Sequence, residues 1–411
     1  MKKLCVLMCL VLLIISAFSQ EIQEQSFVVN IEVPVRVFRG DTFAGDLSID
    51  DFEVLEDGIP QKIEAVYLIN KRNVERSEEK KRFTPETRRN FYLFFEITAY
   101  DPRIELGIKY FIQNVLVPSD NLMIVTPMKT YRMKSKTFEM MPKDKVVKQL
   151  VGIIRKDAMV GSSEYKSIID DIAGVASSLS AALNPTTKGE TDITALDDTG
   201  SDMTRGMSIE EQIEMYSVLL SKLDSIRRVD QKKLLNFADY LKDSVGQKHV
   251  FMFYQKEFIP QIEPKILDQT MSELNDRPDI VHKLTEVMSL YRREVTFDVT
   301  TVQQAFADSS IAIHFLFLTN PPQQKYGVHF EEHSEDIFSA FTQMSSATGG
   351  FSESSMNPDF LMRKAVEASE NYYLLYYSPS EYKSDGKFRE IKVRVKRQGH
   401  QVSHRAGYFA N

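Results

Sequence analysis

The residues of this chain best suited to bind a ligand follow a short hydrophobic run that starts at position 91. Phe91 to Phe95 are five consecutive apolar or aromatic residues, a pattern typical of a strand buried on both faces of a sheet. Glu96, Thr98 and Tyr100 come directly after it at alternate positions, and Asp101-Pro102 can begin a helix. Because open α/β sheets bind ligands beyond the carboxyl ends of their strands, this spacing predicts an oxygen-rich binding rim.

A second motif, HFEEH beginning at His329, matches the H-x-x-E-H pattern of a class of zinc peptidases. In those enzymes the motif lies on a helix, where both histidines share a face and the glutamate activates a water molecule. Here it follows a Pro-Pro pair and Gly327, and the next helix is predicted to begin at Ser334. We therefore interpret the match as accidental, and no nucleophile elbow, P-loop or dinucleotide fingerprint is present. We expect no catalytic residues.

The amino-terminal residues predict export. Lys2-Lys3 precede an apolar run from Leu4 to Ile15, and Ala17-Phe18-Ser19 supplies small residues where a signal peptidase cleaves. The apolar run is too short for a comfortable membrane span. We expect a signal peptide over residues 1–19 and a mature protein that is secreted or stays in the periplasm or cell envelope, without membrane insertion.

Composition narrows the range of partners. Both cysteines, Cys5 and Cys9, lie in the predicted signal peptide, so the mature chain has no thiol for disulfides, metal binding or nucleophilic catalysis. The formal net charge is −7, and removal of Lys2 and Lys3 makes it more negative. Since an acidic chain binds nucleic acid poorly, we expect a protein partner and no nucleic acid.

Alternating strand and helix patterns in the middle of the chain predict an α/β fold with a doubly wound, mostly parallel, Rossmann-like sheet. The two strand-rich ends are each too short to be stable alone, so we expect them to pair into one small β-sandwich in which the α/β domain is inserted. Thr186 to Gly206 is rich in Thr, Asp and Gly and predicts an exposed flexible loop. The predicted segments are a signal peptide (1–19), half of the β-sandwich (20–70), a charged linker (71–89), the α/β domain (90–370) with a helical insertion at about 164–245, and the other half of the β-sandwich (371–411).

Two long segments carry a family resemblance. They are DLSIDDFEVLEDGIPQKIEAV, from Asp46 to Val66, and ENYYLLYYSPSEYKSDGKFREIKVRVKRQGHQVSHRAGYFA, from Glu370 to Ala410. They resemble the ends of a bacterial family of exported proteins related to the von Willebrand factor A (VWA) domain and first described in acidobacteria. The likeness extends from about residue 27 to the last residue. It implies a VWA-like core, in which aspartate-x-serine-x-serine follows the first buried strand and begins a metal site. Glu96 to Tyr100 occupies that position.

The resemblance also implies the remaining ligands of a divalent metal. In VWA domains these are a threonine from a second loop and an aspartate from a third, and the counterparts in this chain are Ser163 and Gln255. Together with Glu96 and Thr98 they form a degenerate set, because an amide replaces one acid and the phenol of Tyr100 replaces a hydroxyl. Since Mg²⁺ depends on anionic oxygen ligands in octahedral geometry, we expect a vestigial rim without a cofactor. The alternative is a retained Mg²⁺ or Mn²⁺ ion.

These observations favour an exported, non-enzymatic interaction module that binds another protein at the carboxyl end of its sheet. The alternative is a metal-dependent adhesin or receptor, in which Glu96, Thr98 and Ser163 hold Mg²⁺ or Mn²⁺ and the ion binds an acidic group of the partner. An enzyme is a third reading that depends only on the HFEEH match. The long helical insertion is expected to form a second contact surface, because functional variation concentrates in loops and inserted segments.

Overall fold

The computed structural model describes residues 29–133, 140–184, 202–273, 277–292, 294–320, 322 and 324–411. The predicted signal peptide and most of the predicted flexible loop over residues 186–206 therefore lie outside the described residues. Among the helices of the described ranges, none combines the length and the hydrophobicity that a membrane span requires.

The strands are numbered in chain order within these ranges. They are β1 (Ile31–Arg39), β2 (Thr42–Phe43), β3 (Phe52–Glu56), β4 (Ile59–Gln61), β5 (Ile63–Asn70), β6 (Asn73–Glu79), β7 (Arg89–Glu96), β8 (Asn121–Val125), β9 (Thr130–Met133), β10 (Gln247–Gln255), β11 (Phe258–Ile262), β12 (Ile311–Leu318), β13 (Val328–Glu332), β14 (Phe351–Ser355), β15 (Asn371–Tyr377), β16 (Phe388–Val395), β17 (Gln401–His404) and β18 (Gly407–Phe409).

The α-helices are numbered in the same way. They are α1 (Ile104–Tyr110), α2 (Lys143–Gly161), α3 (Ser163–Leu183), α4 (Ile209–Arg227), α5 (Gln231–Lys242), α6 (Pro264–Glu273), α7 (Pro278–Ser289), α8 (Val299–Asp308), α9 (Glu335–Ala347) and α10 (Pro358–Glu370). A π-helical turn (Phe111–Val115) extends α1, and two 3₁₀ turns (Ile49–Asp51 and Asp202–Thr204) complete the helical elements of these ranges.

The central sheet has six strands in the order β14-β12-β10-β7-β8-β9. Neighbouring strands are parallel except for β8 and β9, which are antiparallel. β7, β10 and β12 are almost entirely buried because helices cover both faces of the sheet. Phe91, Phe251 and Phe253 belong to the apolar cluster on one face, whereas Val250 and Phe315 belong to the cluster on the other.

Strands from the two ends of the chain form two further sheets. One has the order β17-β1-β15-β5-β6 with β2 paired to β1, and the other has the order β18-β16-β3-β4. All their pairs are antiparallel. The two sheets share one apolar cluster, which includes Val33 and Tyr373 from the first and Val54 and Val393 from the second. Residues 73–79, within the predicted charged linker, form the edge strand β6, whose charged side chains suit an exposed sheet edge.

The predicted fold class, a doubly wound, mostly parallel VWA-like or Rossmann-like sheet inserted in a small β-sandwich, is wrong. The chain is mixed α/β. Its described residues form several antiparallel sheets, which include a curled half-barrel (β17-β1-β15-β5-β6), and one mixed sheet. The prediction failed because an alternation of strands and helices predicts parallel pairing only between strands that helices connect, and most sheets of the described residues are built from other strands. Strands joined by tight turns, such as β8 and β9, can pair only in the antiparallel sense. The strands from the two ends of the chain also pair in the antiparallel sense.

A helical lobe lies beyond the carboxyl end of β10. It packs α3, α4 and α7 against the two-stranded antiparallel sheet of β11 and β13 around one apolar cluster. The start of α4 follows from its sequence, because Ser208 Oγ accepts from the N–H of Glu211 at 3.2 Å and the Glu211 carboxylate accepts from the N–H of Ser208 at 2.8 Å. This reciprocal cap satisfies two helix-end donors.

Candidate functional site

The rim after β7 is held together by Gln255, the last residue of β10. Its Oε1 accepts hydrogen bonds from the backbone N–H groups of Thr98 at 3.0 Å and Ala99 at 2.8 Å. The parallel register that places Tyr254 beside Glu96 brings these residues together. Gln255 is 8% exposed, so its side-chain amide is buried within the rim and is held there by these two hydrogen bonds. The structure thus brings together three of the four predicted site residues, Glu96, Thr98 and Gln255.

The second loop reaches the rim through Ser162 and not through the predicted Ser163. Ser162 is buried, and its Oγ lies 2.8 Å from the carbonyl oxygen of Thr98 and 2.6 Å from that of Ala158. Ser163 is exposed, and its Oγ donates a local hydrogen bond to the carbonyl oxygen of Val160, three residues earlier in the chain, at 2.7 Å. Adjacent residues at a helix start point about 100° apart, so a one-residue choice decides which serine faces the rim. The Gly-Ser-Ser sequence gave no signal to separate them.

Glu96 ends β7 with a carboxylate that reaches solvent. Surrounding protein nevertheless removes part of its water, and this desolvation raises the pKa of Glu96 above its usual value. Tyr100 is half-buried, and desolvation followed by the charge of Glu105 raises its pKa. The Tyr100 hydroxyl has no hydrogen-bond partner among the described residues. Among the described residues, the rim therefore has one solvent-exposed acid and one phenol whose buried hydroxyl has no hydrogen bond.

The residues of the rim do not fit a magnesium site. The described ranges contain no group of three or more His, Cys, Asp or Glu side chains arranged to hold a metal ion. The oxygen of Gln255 and the hydroxyl of Ser162 are both engaged by the backbone of the Thr98 loop. The loop directs its N–H groups toward Gln255, whereas Mg²⁺ needs several free oxygen ligands at about 2.1 Å. The geometry supports an internally bonded loop.

The HFEEH motif lies on β13 and the residue after it, paired with β11, and not on a helix. In an extended chain, residues four apart are about 13 Å from each other, too far for His329 and His333 to share a zinc ion. His329 is exposed, while Nε2 of His333 lies 2.6 Å from Nε2 of Gln261. The spacing of a zinc-peptidase helix is therefore absent at this motif.

An apolar patch adjoins the rim and was not predicted from the sequence. It consists of Met128, Met159 and Val160, which are 47%, 57% and 49% exposed. Gly161 holds the end of α2 against the loop after β8, since an added Cβ would lie 2.7 Å from Pro127 and 3.3 Å from Met128 Cγ. Scattered single apolar residues carry no sequence signal. Only the close approach at Gly161 assembles them into a patch.

Replacing Glu96 with glutamine is expected to raise the melting temperature at pH 7. Because the folded pKa of Glu96 is raised, the charged carboxylate disfavours the folded state above its ordinary pKa of 4.5, and the difference should vanish below that pH. Differential scanning calorimetry of both proteins from pH 4 to 8 measures this, with the exposed Glu381→Gln as the control. A lower melting temperature for Glu96→Gln at pH 7 would mean that the carboxylate has a favourable cationic partner.

Comparison with known proteins gives little support to any family. No protein family matches the sequence, and no curated protein matches it. The structure is weakly similar to the crystal structure of the human COPII-coat protein Sec24c, with a TM-score of 0.26 and 9% sequence identity. The matched region covers 80% of this chain and 44% of Sec24c. A likeness this distant carries no argument about fold or function.

Proposed function

We propose that this chain is an exported, non-enzymatic module of the bacterial VWA-related kind, which binds another protein at the carboxyl end of its central sheet without a metal ion. The observation that carries the proposal is the pair of hydrogen bonds from the Thr98 and Ala99 N–H groups to Gln255 Oε1. The neutral side-chain amide of Gln255 thus orders the Thr98 loop, a role that a bound cation would have in a metal-dependent rim. The rim is thereby shaped in advance, and a pre-organised surface loses less entropy on binding.

The chemistry beside the rim suits a protein partner. The apolar patch of Met128, Met159 and Val160 is exposed next to a polar loop, and methionine is enriched at the centres of protein interfaces. Glu96 supplies a carboxylate that forms no ion pair among the described residues, and desolvation raises its pKa. An apolar surface flanked by one acid matches a partner surface that presents an apolar side chain next to a lysine or arginine.

Capture of the partner from the native envelope fraction is expected to be independent of divalent cations. The test immobilises the mature protein and compares quantitative recovery with magnesium and with chelator. Gln255→Ala and the double change Met128→Ser/Met159→Ser should each lower the affinity for the captured protein at least about tenfold, because they disorder the loop or remove apolar contacts. The matched controls are Gln343→Ala and Met288→Ser, which change exposed residues elsewhere.

Two outcomes separate the competing functions. Recovery that is lost in chelator and restored by Mg²⁺ or Mn²⁺ would replace this proposal with the metal-dependent adhesin. Recovery that is unchanged both by Gln255→Ala and by the double change Met128→Ser/Met159→Ser would place the contact surface elsewhere on the molecule.

A further inference from the structure

A small cavity lies at the opposite end of the central sheet, between the amino ends of its strands and the sheet formed by the chain termini. It has room for about one water-sized particle. Strands β1, β10 and β12 contribute most of its wall, and the segment after β17 closes it. The lining residues are Pro34, Arg36, Gln247, Lys248, His249, Ser310, Ile311, Ala312, Thr348 and Arg405.

Three of the lining side chains are buried cations. Arg36, Lys248 and Arg405 are 4%, 6% and 7% exposed, and none of the residues that line the cavity is acidic. Their hydrogen bonds go to neutral backbone carbonyl oxygens. Arg36 Nη1 donates to Gly349 at 2.8 Å, Lys248 Nζ donates to Ser309 at 2.8 Å, and Arg405 Nη2 donates to Glu32 at 2.7 Å.

The nearest carboxylates are engaged elsewhere. The Glu32 carboxylate accepts from Gln247 Nε2 at 2.9 Å and from the Tyr376 hydroxyl. The Asp308 carboxylate accepts from Lys242 Nζ at 2.6 Å and from the N–H of Phe409 at 2.8 Å. These acids moderate the positive charge from outside the cavity, but they do not pair with the cations that line it.

Unused donors remain at the cavity wall. Arg405 Nε and both ring nitrogens of His249, which is 1% exposed, have no hydrogen-bond partner among the described residues. Buried charges without a counter-ion are costly, and burial lowers the pKa of Arg36 to about 10 and that of Lys248 to about 8. Burial followed by the charge of Arg36 keeps the pKa of His249 low, so its ring is neutral and carries one N–H donor.

We propose that this cavity is a binding site for a small monovalent anion of halide size, held by Arg36, Lys248 and Arg405 and by the free N–H donors of Arg405 and His249. The anion would neutralise the buried charge and fix the terminal-strand sheet to the amino end of the central sheet. Tetrahedral oxyanions are excluded by the size of the cavity.

Thermal unfolding at constant ionic strength tests the site, with sodium chloride replacing sodium gluconate, whose anion is too large to enter. The melting temperature should rise by about 1–2 °C for each tenfold increase in chloride above the dissociation constant. Lys248→Met should lose this dependence while remaining folded, since it removes a buried charge and keeps the apolar stem. The exposed Lys265→Met should respond like the unchanged protein. A chloride-independent melting temperature, or a dependence retained by Lys248→Met, overturns the proposal.

Crystals of the unchanged protein grown in sodium bromide provide a test that needs no variant. The expected result is an anomalous bromine peak within hydrogen-bond distance of Arg405 Nε. A cavity that holds only water, or bromide found only at other positions, overturns the proposal.

Discussion

Replacing Asp120 with alanine is expected to lower the free energy of unfolding by about 3–5 kcal/mol. Asp120 pairs with Arg89 at 2.6 Å between Oδ2 and Nη2, and both side chains are 0% exposed. The same carboxylate accepts from the N–H of Val117 at 3.1 Å. Its removal would leave the guanidinium of Arg89 buried at the start of β7, with the carbonyl of Val115 and the ring of Phe91 as its remaining partners among the described residues.

Urea denaturation of Asp120→Ala, Arg89→Met and the double variant measures this effect. The double variant should recover a large part of the loss, because no unpaired charge remains buried. Asp224→Ala is the control, since its pair with Arg228 is exposed and contributes only about 0.3–0.5 kcal/mol. A loss below about 1 kcal/mol for Asp120→Ala would show that water replaces the carboxylate and that the start of β7 is open to solvent.

Replacing Arg227 with methionine is expected to cost about 3–5 kcal/mol and to loosen the helical lobe selectively. Arg227, the last residue of α4, forms an ion pair with Glu257, and the two side chains are 4% and 9% exposed. Its Nη2 also donates to the carbonyl oxygen of His333 at 2.8 Å. Without it, the carboxylate of Glu257 would be left in a nearly water-free position with the Tyr254 hydroxyl as a remaining donor.

Hydrogen exchange separates this local effect from global unfolding. Amides of α4 and β13 should exchange much faster in Arg227→Met, while those of β7 and β10 should exchange faster only in proportion to the loss of global stability. The neighbouring Arg228→Met is the matched control, because Arg228 is 66% exposed in its pair with Asp224. Uniform acceleration throughout the protein would contradict the view that this ion pair attaches the lobe to the sheet.

The local features of the fold could be predicted from the sequence. The run from Phe91 to Phe95 is the buried strand β7, and the three-to-four spacing after it yields a helix that buries Ile104 and Ile108. The alternating tyrosines and leucines of β15 are buried on both faces of their sheet, as a continuous run of large apolar and aromatic residues in a strand indicates. These features depend on the spacing of hydrophobic residues within a single helix or strand. That spacing can be recognised in the sequence without knowledge of the rest of the structure.

Features that depend on distant residues could not be predicted in this way. The terminal strands pair across more than three hundred residues, and the pattern along each strand does not specify the order in which they form a curled half-barrel. The register of β10 against β7 points the amide of Gln255 at the Thr98 loop, and a helix start selects Ser162 over Ser163. Arg36, Lys248 and Arg405 are far apart in sequence, so their shared cavity exists only in the folded chain.

The interleaving of the two chain ends has a consequence for the order of folding. β1 pairs with β15 on one side and with β17 on the other, so its pairing cannot be completed until the carboxyl-terminal segment has been synthesised. Contacts of such long sequence separation slow folding, because the loop-closure entropy is lost before the contacts form. During that interval the unpaired edge of β1 is open to pairing with other chains, so aggregation competes with folding until the last strands are in place.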